Sequence, residues 1–245
     1  MRRQRRAMCT SWTVRTMAKV FIGVGHGGKD AGAVGNGLKE KDVNLSIALH
    51  LRSELQRHGV TVGISRTKDE DDTTSDEVRK ANAFDPDYAV DIHTNAGGGT
   101  GFEVLHTLSG GKGKTLAANI EEAMIAAGYK SRGLKTKANS AGKDYFGFIR
   151  SIAAPSIILE CAFIDSSDYQ LIDSEADRQK IARAYARGIL KTLGIAYQEE
   201  VSSVTKEEAK KIIKEKAGVS DATIVYLDSY RYGDDLILKL AKAMQ

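Results

Sequence analysis

Residues 19–44 read KVFIGVGHGGKDAGAVGNGLKEKDVN. The apolar run Val20–Val24 has the length of a buried strand. It stops at Gly25, and His26 follows at once. Gly27, Gly28, Gly32, Gly35 and Gly37 then come too densely for a regular element. His26 therefore stands at a strand end, on a loop whose backbone can take positive φ. Glu40 closes the loop just before a helical pattern that begins at Asp42. A second histidine, His93, follows another apolar run and precedes Thr94-Asn95-Ala96. Two histidines after strands and a carboxylate at a helix start can converge on one point. Two imidazoles and one carboxylate are the donor set of a catalytic zinc with a coordination position left open.

The periodicity to either side predicts an α/β domain. Asp42–His58 carries Val43, Ile47, Leu51 and Leu55 at four-residue spacing and reads as a helix ended by Gly59. Val60–Ser65 alternates as a strand, Thr74 or Ser75 caps a helix to about Phe84, and Tyr88–His93 is a third strand. Gly101–Thr107 reads as a fourth strand, Leu108–Gly113 as a loop, and Lys114–Ala127 as a helix. Ser131–Lys143 has no periodicity and reads as a loop bordering a cleft. Tyr145–Ile149 is a short apolar segment, Ser156–Glu160 a buried strand, and Asp168–Leu193 mostly helix. Alternating strands and helices predict a twisted, mostly parallel sheet flanked by helices, with functional residues at strand ends.

The ends of the chain differ from its body. The formal charge of +4 over 245 residues is carried by Arg2, Arg3, Arg5, Arg6 and Arg15; the remainder is near neutral, which gives no footprint for nucleic acid. No apolar segment follows those arginines, so residues 1–16 read as an extension rather than a secretory signal, with Met17 the natural start. No run has the length of a membrane span. Cys9 and Cys161 give neither a disulfide framework nor a CxxC metal pattern. The domains are expected at 17–195, a linker at 196–204, and a small helical unit at 205–245. In that unit Thr205 and Glu208 have the spacing of a capping box, and Asp221–Tyr230 and Asp234–Met244 read as further helices.

Glu160 ends the run Ser156–Leu159, so its carboxylate lies near a buried strand terminus. It reads either as the partner of an arginine such as Arg150 or Arg66, or as a general base beside a metal site. His106, at the end of the fourth strand, is a further candidate for substrate contact, whereas His50 and His58 have helix-surface and helix-end explanations. Cys161 reads as a small buried hydrophobe, not a nucleophile.

With these segments in place, the sequence resembles the zinc-dependent N-acetylmuramoyl-L-alanine amidases of the type-three class, found among bacterial autolysins, sporulation enzymes and phage endolysins. GHGGKDAG at 25–32, EKDVNLSIA at 40–48, SRTKD at 65–69, DIHTNA at 91–96 and LECAFIDSSD at 159–168 carry the resemblance over about residues 18–193. It implies one Zn2+ per chain held by His26, Glu40 and His93, with Glu160 the catalytic carboxylate and Asn95 and Arg66 as candidate substrate contacts. Here Cys161 stands where the family usually has glycine, Ser166-Ser167 where it has an asparagine, and Ala31 where many members have proline. The implied reaction is hydrolysis of the amide between N-acetylmuramic acid and L-alanine in peptidoglycan. A zinc peptidase cutting within the stem peptide, and a non-catalytic wall-binding protein, are the alternatives. Without a signal peptide, an endolysin made in the cytoplasm and released through a holin is the expected setting. The C-terminal unit is expected to bind cell wall or to form a homodimer, with Tyr226, Tyr230 and Tyr232 able to stack on sugar.

Overall fold

In a computed structural model, residues 17–199, 205–230 and 233–244 are described. The expected N-terminal extension, most of the linker and Tyr232 lie outside the described residues. The chain divides into two compact units between Tyr197 and Gln198.

The first unit is built on a six-stranded sheet with the order β4-β1-β5-β8-β6-β7. Its strands are β1 (Lys19–Val24), β4 (Thr61–Ile64), β5 (Tyr88–Asn95), β6 (Phe102–His106), β7 (Ser131–Lys135) and β8 (Ser156–Phe163). β4, β1, β5 and β8 are mutually parallel; β6 runs antiparallel to β8, and β7 parallel to β6. Side chains alternate between the faces. Val20, Ile22, Val24, Val90, Ile92, Ile157 and Leu159 enter the main core, where α1 (Glu40–Arg57), α3 (Gly111–Ala126) and α5 (Glu175–Leu193) cover the sheet. Phe21 and Ala89 point the other way, against Ala81 of α2 (Thr74–Phe84) and Phe148 of α4 (Gly147–Ser151). The mostly parallel sheet flanked by helices is the expected architecture.

Several boundaries differ from the sequence reading. β7 replaces the first part of the expected loop at 131–143. It is an edge strand without an apolar run, so alternation could not reveal it. β8 continues beyond Glu160 through Cys161-Ala162-Phe163. The glycine loop contains a two-stranded hairpin, β2 (Val34–Gly35) with β3 (Leu38–Lys39), and Glu40 is already helical. The cap of α2 is Thr73, whose side chain accepts from Asp76 N, one position before the expected caps. α3 begins at Gly111 behind Gly110, with no side-chain cap to announce it. The apolar segment at 145–149 contributes to α4, and a 3-10 turn at Ser167–Leu171 precedes α5.

α5 and α3 meet at Gly188. A Cβ there would lie 2.5 Å from Ile120 Cα, so the backbones themselves would have to part. Gly188→Ala is expected to destabilise by about 1–3 kcal/mol even though alanine favours helix. Urea unfolding measures it, and an unchanged midpoint would contradict this packing.

The second unit contains α6 (Lys206–Ala217), α7 (Asp221–Ser229) and α8 (Gly233–Ala243) around Ala209, Ile213, Ile224, Ile237 and Ala241. The expected Thr205–Glu208 capping box forms. Tyr226 is 74% exposed.

Candidate metal centre

β1 ends where Gly25 N donates to Ile92 O on β5, which brings both strand ends level. A Cβ on Gly25 would fall 2.2 Å from His93 Cε1, so only glycine leaves room for that ring. His26 then takes φ 66, a left-handed conformation that histidine adopts more readily than most residues. The β2–β3 hairpin returns the chain so that Glu40, in the first turn of α1, reaches over the end of β5. Its Oε1 accepts from Thr94 N at 3.0 Å and its Oε2 from Ala33 N at 2.8 Å.

His26, Glu40 and His93 offer ligand atoms that all lie within 4.8 Å of one another. His26 Nε2 is 3.3 Å from Glu40 Oε2, and His93 Nδ1 is 3.1 Å from Glu40 Oε1. The outer nitrogens are also committed. His26 Nδ1 lies 2.8 Å from Asp30 Oδ2, and His93 Nε2 lies 3.2 Å from Asp91 Oδ2. A proton kept on each outer nitrogen leaves the inner lone pairs for a cation. The donor chemistry and the orienting carboxylates fit zinc.

Without a cation, the charges reorganise as the contacts dictate. The hydrogen bond to Glu40, then that to Asp30, raises the His26 pKa above its ordinary value against the effect of burial. Burial disfavours a charged His93, but Asp91 and Glu40 overcome it and hold the pKa well above the usual range. Burial also opposes the Glu40 charge; hydrogen bonds from both imidazoles outweigh it and depress the carboxyl. A zinc ion held by this cluster would therefore displace protons from the imidazoles. Its affinity is expected to rise as pH rises through their raised pKa values and then level off, by up to about tenfold per pH unit for each proton displaced. Calorimetry in buffers of different ionisation enthalpy detects the released protons; a pH-independent affinity would contradict this arrangement.

Glu160 lies beside His93 in the parallel β5–β8 pair and opposite Glu103 in the antiparallel β8–β6 pair. Burial pushes its carboxyl up to about 7; His93 opposes this, and Glu40 and Asp91 add to it. Neither arginine proposed as its partner pairs with it. Arg66 donates to the carbonyls of Val24, Gly25, Lys41 and Lys68, and Arg150 to those of Asp144 and Tyr145. Arg66 is also only 2% exposed, so it is part of the framework and not of the cleft surface. Asn95 is half-buried; its side chain accepts from Ala96 N at 2.8 Å and donates to Glu103 Oε2 at 3.4 Å. His106 does not join the site. Because β6 is antiparallel, its end lies opposite Ile157, towards the far side of the sheet, and Glu103 takes the position near Glu160. Cys161 is buried, and burial pushes its thiol up to about 12, which removes it as a nucleophile.

The sequence reading passed over Asp30 and Asp91. Asp91 was accessible to it, since a residue two before His93 on a strand must share its face. A cleft of about 450 Å³ opens beside the ligands, lined by His26, Asp30, Asp71, Asp72, Glu77 and His93, among others. A cavity of about 540 Å³ elsewhere, around Met17, His58 and Ile195, contains no such donor group.

The N-acetylmuramoyl-L-alanine amidase family profile matches residues 20–191. The chain is 35% identical over 226 residues to N-acetylmuramoyl-L-alanine amidase CwlM of Bacillus licheniformis, covering 87% of each chain. It is 33% identical over 199 residues to the endolysin of Bacillus phage SPP1, covering 77% of this chain and 71% of that protein. The solved structure of N-acetylmuramoyl-L-alanine amidase AmiC2 of Nostoc punctiforme superposes with a TM-score of 0.65 at 32% identity, over 72% of this chain and 97% of that one. The matched span contains the sheet, apart from Lys19 at the start of β1, together with His26, Glu40, His93 and Glu160, and on these grounds the chain belongs to the N-acetylmuramoyl-L-alanine amidase family.

Proposed function

We propose that this protein hydrolyses the amide joining N-acetylmuramic acid to L-alanine in peptidoglycan, with His26, Glu40 and His93 holding zinc and Glu160 acting as general base and acid. The observation that carries the reading is that Glu160, without an ion-pair partner among the described residues, stands one strand from the His26–Glu40–His93 cluster. Zinc held there acidifies water and polarises the scissile carbonyl. A Glu160 oxygen takes a proton from the attacking water and delivers it to the nitrogen of the departing L-alanine. A pKa near neutrality suits both transfers. Asp30 and Asp91 keep the imidazoles oriented throughout.

Mass spectrometry of products from purified peptidoglycan tests this reading. Free stem peptides beginning with L-alanine, and about one zinc per chain, are expected. Cuts within the stem would reassign the protein as a peptidase, and no cleavage by the zinc-loaded chain would leave a wall-binding protein.

Similarity to the phage SPP1 endolysin supports release through a holin as the setting. Among the described residues no helix is long and apolar enough to cross a membrane. Cytosolic expression should lyse cells only when a holin is co-expressed; export without one would favour an autolysin. For the second unit we propose wall binding, with exposed Tyr226 as a stacking surface, or self-association. Deleting residues 205–245 should reduce pelleting with cell walls or lower the oligomer mass.

A further inference from the structure

At the height of the metal centre, neighbouring strands bring a row of side chains to one face of the sheet. From β5 outward it runs His93, Glu160 and Glu103, and Arg132 on the edge strand β7 follows. Arg132 Nε lies 2.6 Å from Glu103 Oε1, and its guanidinium carbon lies 5.0 Å from the centre of the Phe163 ring. The ion pair and the ring hold the guanidinium plane, while the side chain stays 40% exposed. Its two terminal nitrogens make no hydrogen bond among the described residues. A guanidinium fixed by Nε with its outer edge open is arranged to receive a carboxylate through parallel N–H bonds.

On the side of α2 the cleft is lined by Asp30 and Asp71 together with Lys29, and Asp72 there is paired with Lys80. The open guanidinium edge of Arg132 attracts an anionic substrate segment towards β7.

Resting on the amidase reading above, we propose that Arg132 forms a carboxylate subsite for the stem peptide, fixing which side of the scissile amide lies over β6 and β7. The substrate is asymmetric in the required way: beyond L-alanine the stem carries carboxylates, whereas the muramoyl side is uncharged at the bond. Arg132 stands two strands from Glu160, roughly 10 Å at ordinary strand spacing. An extended peptide covers that in about three residues. The recognised group is thus a pendant carboxylate on the second or the third stem residue.

Synthetic N-acetylmuramoyl tripeptides whose third residue bears a side-chain carboxylate, with the C-terminus capped as an amide, decide between these, with both pendant carboxylates free, either one amidated, or both amidated. Steady-state kinetics would use wild type, Arg132→Ala and Arg132→Lys, after zinc content and thermal midpoint show each variant to be folded. On the free form Arg132→Ala is expected to lose tenfold or more in kcat/KM, mainly through KM, with Arg132→Lys intermediate. Amidating the recognised carboxylate should lower wild-type kcat/KM similarly and bring the ratio of wild type to Arg132→Ala towards one. The amidation that does so identifies the residue. Equal kinetics of wild type and Arg132→Ala on the free form, or the same ratio on all four substrates, would overturn the subsite alone. A zinc-loaded wild type that releases L-alanyl peptides from none of them would overturn the amidase reading, and the subsite with it.

Discussion

Glu160→Gln is expected to keep its zinc and its fold while losing about 10²- to 10⁴-fold in kcat, the usual range for a removed general base. The amide of glutamine matches the carboxylate in shape but cannot take a proton. Since Glu160 makes no ion pair among the described residues, its replacement breaks no structural link. A second measurement makes the test sharper. The folded pKa of about 7 lies above the ordinary 4.5, so between those values the folded state binds more protons than the unfolded chain. Stability conferred by the protonated form is complete below about 4.5 and is lost as pH rises through about 7. At pH 8 the metal-free Glu160→Gln variant should therefore be more stable than wild type, on the order of 3 kcal/mol. Unchanged turnover would remove Glu160 from its role; reduced turnover with reduced metal-free stability would make it a structural residue instead.

Arg66→Ala should cost about 3–5 kcal/mol, the penalty for removing one member of a buried, charge-assisted network. The guanidinium holds together three segments that the site requires. It donates to Val24 and Gly25 at the end of β1, to Lys41 in the first turn of α1, and to Lys68 in the loop after β4. The carbonyls it satisfies flank His26 and Glu40, so zinc affinity should fall along with the urea midpoint. Arg66→Lys would recover only part of the loss, because a single ammonium cannot span carbonyls that a planar fork reaches together. Wild-type unfolding and metal affinity in Arg66→Ala would show that the network carries no energy.

The cluster of His26, Glu40 and His93, proposed above as the ligand set, was legible because each member sits at a transition in pattern: an apolar run into glycine at His26, an apolar run into polar residues at His93, and a glycine loop into a helix at Glu40. Glu160 was visible as a charge in an apolar run, although the run continues to Phe163. What stayed hidden depends on pairing between distant segments. No local signal marks SRGLK as an edge strand or reverses the direction of β6, and that reversal removes His106 from the site and brings Glu103 to it. Arg66 read as a candidate for pairing with a carboxylate or with substrate because sequence does not reveal which carbonyls surround a buried donor.

The sheet order has a temporal consequence. β8 is the last strand to be synthesised, yet it lies between β5 and β6, at the middle of the finished sheet. β4, β1 and β5, with His26, Glu40 and His93, have all been synthesised by residue 95. Glu160 comes only with β8, the strand through which β6 and β7 join β5. The order of synthesis thus places the His26–Glu40–His93 cluster ahead of Glu160, and closure of the sheet around β8 is the step that unites them.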